Sequence, residues 1–66
     1  MRVEELMKLI QGMPPGYRTV FNMYAIEGFS HQEIANELGV TESTSKTQFR
    51  KARTYLMSLI GERENI

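Results

Sequence analysis

Within twelve residues, from 30 to 41, the chain carries a start, a stop and a second start for helix: SHQEIANELGVT. Ser30 and Glu33 stand at the spacing of a capping box, in which the serine oxygen takes a free helix N–H and the glutamate reaches back to another. Gly39 follows the last apolar position of that segment and suits the left-handed conformation that closes a helix. Thr41 then offers a hydroxyl as the next N-cap. A short helix, a turn of roughly three residues around glycine and a second helix make a helix-turn-helix, expected over about residues 30–60.

The rest of the chain extends that pattern. Val3, Leu6, Met7 and Ile10 recur at helical spacing, and Gly12 stops the first helix. Met13-Pro14-Pro15-Gly16 reads as a turn, with proline suited to the first turn of the next helix. That second helix carries the stripe Tyr17, Val20, Phe21 and Tyr24 and ends before Gly28. The third helix is expected to turn Ile34, Ala35 and Leu38 inward, with Val40 completing an apolar wedge under the turn, and the fourth to run to about Ile60. Period-two alternation is absent, so the predicted fold class is all-α: a compact four-helix domain with a C-terminal helix-turn-helix. At 66 residues one domain, 1–66, is expected, and a chain of this size buries only about 60% of the surface it exposes when unfolded. With no cysteine and one histidine, neither disulfide nor metal staples it, so packing must hold it together.

Charge separates along this frame. The net charge is zero, yet residues 1–42 hold three bases against six acids, whereas residues 43–61 hold Lys46, Arg50, Lys51 and Arg53 and no acid. On the fourth helix, Ser45, Phe49, Ala52, Leu56, Leu59 and Ile60 share one face, and Ser43, Thr47, Arg50 and Thr54 the opposite one, flanked by Lys46 and Lys51. A merely solvated face more often mixes both signs of charge. One basic face on a neutral domain suits nucleic acid, since arginine forks onto guanine or phosphate and serine or threonine bonds to either.

The stretch 13–56, MPPGYRTVFNMYAIEGFSHQEIANELGVTESTSKTQFRKARTYL, resembles region 4 of the extracytoplasmic-function sigma factors, the promoter-specificity subunits of bacterial RNA polymerase. The resemblance is carried by Pro14, Tyr17-Arg18, Val20-Phe21, Gly28, Glu33-Ile34-Ala35, Leu38-Gly39, Thr44-x-Lys46 and Arg50-x-Ala52-Arg53. It implies a DNA-binding domain that reads the promoter −35 element, with Glu42, Ser43, Lys46, Thr47 and Arg50 facing the groove. Lys51, at the flank of the outer face, is expected to grip backbone, and about three or four of Lys46, Arg50, Lys51 and Arg53 to neutralise phosphates. The resemblance also implies docking on the flap of the polymerase β subunit through an apolar surface, with an anti-sigma factor as a further partner. Separately, no apolar run approaches a membrane span and the N-terminal MRVEELMKLI carries acids where a signal peptide would not, so a soluble cytoplasmic protein is expected. A groove between the first and last helices, drawn from Val3, Leu6, Met7, Ile10, Tyr24, Met57, Leu59 and Ile60, is the expected docking surface. Sigma factors carry an upstream region that binds core polymerase and melts the −10 element, so a piece of a longer chain is expected rather than an independent protein without promoter melting. Where the family commonly has valine, this chain has Ser45. If the hydroxyl only bonds back to a carbonyl one turn earlier, Ser45→Val is expected to stabilise by about 1 kcal/mol.

Other readings are weaker. No glycine-rich phosphate loop, metal cluster or nucleophile–base set supports an enzyme, a cofactor or a small-molecule ligand. Glu33 lacks a catalytic partner and is assigned to capping, His31 to solvent at a helix start in preference to a phosphate, and Arg18 equally to a nearby glutamate or to a contact with DNA or polymerase. The output domain of LuxR-type response regulators shares Glu33-Ile34-Ala35 and Thr44-x-Lys46 but not the segment from Arg50 to Arg53. A module that binds polymerase or an anti-sigma factor without DNA is a different class. A basic amphipathic helix on anionic lipid is a third, opposed by the capped turn before it.

Overall fold

The computed structural model describes the backbone of residues 2–64 and the side chains of residues 2–61. Four helices follow in order: α1 (Val3–Gln11), α2 (Pro15–Phe21), α3 (His31–Leu38) and α4 (Glu42–Glu64). A π-helical segment, Asn22–Ile26, continues α2 without a break. That segment is absent from the sequence reading, because the apolar stripe through Tyr24 looks the same in either kind of helix. Its end closes over Gly28, at φ 81°, where the Phe29 N–H donates to the Met23 carbonyl at 2.9 Å.

The core lies where α1, α2 and α4 meet. Ile10, Met13, Ala52 and Leu56 are buried together, with Leu6, Leu9, Tyr17, Phe21 and Ile60 packed around them. Met13 of the turn is part of this core, since the turn before Pro14 folds back under α1. Pro15 takes the first turn of α2, where its missing N–H costs nothing. Arg18 does not stand free: its Nη1 donates to the Gln11 carbonyl at 2.8 Å, and no glutamate of the described residues pairs with it. A cation thus closes the carbonyl end of α1 and joins it to α2.

Three residues, 39–41, link α3 to α4. The capping box at Ser30 and Glu33 is fully formed, at 3.1 and 2.9 Å, and Gly39 is left-handed at φ 69°. Thr41 caps α4 by accepting from the Thr44 N–H at 3.0 Å. Ile34 is fully buried and Ala35 nearly so, but Leu38 and Val40 are each 39% exposed. The expected wedge is therefore narrower, because a helix of two turns presents only one apolar corner to α4. The fourth helix runs past Ile60 to Glu64, with Gly61 inside it, a position glycine tolerates at a cost of about 1 kcal/mol.

Candidate nucleic-acid interface

The buried face of α4 begins at Ser45, which is 0% exposed. Its hydroxyl does not rely on a carbonyl of its own helix: Ser45 Oγ lies 2.9 Å from His31 Nδ1 on α3. This corrects two expectations at once. His31 is half-buried rather than solvated, and Ser45 sits in a polar contact rather than an apolar gap. The imidazole is also held by rings, stacked on Tyr24 at 4.2 Å and set edge-on to Phe49 at 5.9 Å. Tyr24 tilts onto Phe49 at 4.6 Å, and Phe49 stacks on Phe21 at 5.7 Å. Four rings from α2, its π-helical continuation, α3 and α4 thus lock the angle between the two helices of the turn. Ring pairs of this kind contribute about 0.5–1.5 kcal/mol each beyond area burial.

With that face held inward, the opposite face of α4 stands out. Glu42, Ser43, Lys46, Arg50, Lys51 and Arg53 are exposed, and Thr47 is half-buried. Glu42 pairs with Lys46 one turn on, at 3.6 Å, with both side chains more than half exposed, so the pair contributes about 0–1 kcal/mol. Glu42 in the first turn also meets the positive end of the helix dipole. No carboxylate of the described residues pairs with Arg50, Lys51 or Arg53. Lys46, Arg50 and Arg53 follow one another at helical spacing along one side of the outer face, and Lys51 lies on the other flank. The seven residues singled out from sequence thus lie on one helix, three of them cations that no carboxylate of the described residues neutralises.

Glu33 performs the capping role assigned to it. The Ser30 backbone N–H, with the Ser30 hydroxyl adding, holds its carboxyl below the usual carboxylate range. Among the described residues no group of three or more His, Cys, Asp or Glu side chains is gathered for a metal ion, and no helix is long and apolar enough to cross a membrane. Nothing in the sequence signals that Tyr17 meets Tyr55, yet their ring centroids lie 6.3 Å apart beside Lys51. They are distant in the chain, and only the crossing of α2 over α4 brings them together.

A short capped helix, a left-handed glycine turn and a long helix whose residues 43–61 hold four bases and no acid have the form of a helix-turn-helix DNA-binding domain. The family described as Sigma-70, region 4 matches residues 3–56, and the chain belongs to it. It is therefore a sigma-factor domain of the kind that recognises the promoter −35 element, which decides between the sigma-factor and LuxR-type readings of the turn. Neither a curated protein nor a solved structure matches the chain.

Proposed function

We propose that this chain is the −35-reading domain of an extracytoplasmic-function sigma factor, with α4 as its recognition helix. In this reading Glu42, Ser43, Lys46, Thr47 and Arg50 face the bases of the major groove, and Lys51 and Arg53 grip the phosphates on either side. The observation that carries it is the acid-free stretch of residues 43–61, whose Arg50, Lys51 and Arg53 project from α4 directly after the capped turn. Met57 of α4, 62% exposed, lies seven residues from Arg50 on the outer face, but the bundle leaves apolar surface on α1, with Val3 72% exposed and Met7, one turn on, also exposed. That surface supports docking on the β flap of RNA polymerase and is open to an anti-sigma factor. It is smaller than the groove expected from sequence, since Ile10 is buried in the core and Tyr24 belongs to the ring cluster at the other end.

The test is base discrimination. Arg50→Ala should lose about 1–3 kcal/mol of binding on a duplex selected by this chain from a random pool, and much less on a scrambled duplex. Fluorescence anisotropy on both duplexes decides it, and an equal loss on the two would remove Arg50 from the groove.

A further inference from the structure

Beside the outer face of α4 runs an open groove lined by Tyr17 of α2 and by Arg50, Lys51, Thr54 and Tyr55 of α4. All five side chains carry hydrogen-bond donors, and none is a carboxylate. The two rings lean on one another at 6.3 Å and 58°, so their positions are fixed by packing. Among the described residues neither phenol hydroxyl has a protein hydrogen-bond partner, so both have donors to spare. Two cations, two phenols and a threonine hydroxyl over an aromatic floor form a surface complementary to an anion, and Arg50 makes it continuous with the proposed base-reading face.

Helix geometry says which anion reaches it. From Lys46 to Tyr55 is nine residues, about 13 Å along the axis. The major groove is about 12 Å wide. With the first turns of α4 seated over bases, the level of Tyr55 has crossed that width and stands at the groove wall, where a sugar-phosphate strand runs. We infer that this groove is a backbone clamp for one DNA strand, in which Tyr17 and Tyr55 join Lys51 in holding phosphate, so that the DNA-binding surface extends from α4 onto α2. The inference rests on the DNA-binding reading of α4 and adds to it a surface outside the helix-turn-helix.

The chain itself is tested by anisotropy on the selected and scrambled duplexes across a salt series, with a parallel titration of a poly-glutamate peptide. Tyr17→Phe and Tyr55→Phe keep both rings and the fold, which circular dichroism checks. Each should weaken both duplexes alike, by about threefold to tenfold for one lost hydrogen bond. The salt slope should not change, because no cation is removed, whereas Lys51→Ala should flatten it by about one unit. A scan of single methylphosphonate substitutions along the selected duplex should find a position that costs wild type affinity but costs the double Tyr17→Phe, Tyr55→Phe variant nothing. Unchanged DNA binding in both tyrosine variants, with Arg50→Ala still discriminating, would overturn the clamp and leave base reading intact. Loss of poly-glutamate binding in those variants with DNA unaffected would overturn it in favour of an acidic protein segment. Failure of wild type to bind any duplex would overturn the underlying reading together with the clamp.

Discussion

The contact between Ser45 and His31 reverses the sign expected for a substitution. Valine at 45 would add apolar contact but leave the half-buried His31 Nδ1 without its partner at 2.9 Å. An unmet buried polar group costs about 1–3 kcal/mol, which exceeds what two extra carbons return at a crowded site. Ser45→Val and Ser45→Ala should both destabilise by about 1 kcal/mol, a fall in Tm of about 4–8 °C for a domain of this size. A rise in Tm for the valine variant would show that the ring cluster alone holds His31. Glu33 gives a second prediction at this scale. Its folded carboxyl titrates below the unfolded one because Ser30 donates to the charged form. Its contribution is therefore present at neutral pH and is lost as pH falls through the lowered folded value. Glu33→Gln can still accept from the Ser30 N–H but cannot titrate. The stability gap between wild type and Glu33→Gln should be widest near pH 7 and close in acid, measured by urea unfolding at a series of pH values.

Among the elements, the turn between α3 and α4 sets the geometry of the interface. Gly39 lies at φ 69°, and a Cβ added there would meet nothing within 4 Å. The demand for glycine is thus one of backbone conformation and not of space. Gly39→Ala should destabilise by about 1–2 kcal/mol, the penalty for a left-handed alanine, and Gly39→Asn by less, because asparagine adopts that conformation more readily. Equal losses for the two in thermal melts would point to the close of α3 onto α4 and not to the φ angle. The Val40 N–H donates to the Ala35 carbonyl at 3.0 Å across this turn, so the strain would reach the start of the basic helix as well.

For the whole molecule, shape and charge act together. The domain measures 40 × 18 × 16 Å with a radius of gyration of 12.4 Å, larger than the roughly 11 Å of a compact chain of this length. The excess comes from α4, whose 23 residues span about 34 Å. A neutral molecule with its positive charge gathered along one long helix has local attraction for DNA but little long-range steering. With Lys46 engaged by Glu42, about three cations remain to displace counterions. Log K against log salt should then have a slope near −3, and binding by this domain alone should be weak at physiological salt. A slope near −1 in salt-series anisotropy would mean that the cations do not lie on the phosphates.

Local signals were enough to place the four α-helices and the turn between the last two, though not the π-helical segment after α2. Ser30, Glu33, Gly39 and Thr41 act on backbone groups within four residues of themselves, so their roles follow from spacing and hold in the structure. The charge asymmetry was equally legible, because helical periodicity alone puts Arg50 and Ala52 on different faces. Contacts between residues distant in the chain were decided only by tertiary packing. His31 and Ser45 are fourteen positions apart, and nothing local to either says that they bond. Tyr17 and Tyr55 meet only because α2 crosses α4, and Leu38 is left half in water because α3 is too short to bury a second side of itself. Periodicity tells which side of a helix is apolar; how much of that side is covered, and by which ring or hydroxyl, depends on the crossing of helices that are far apart in sequence.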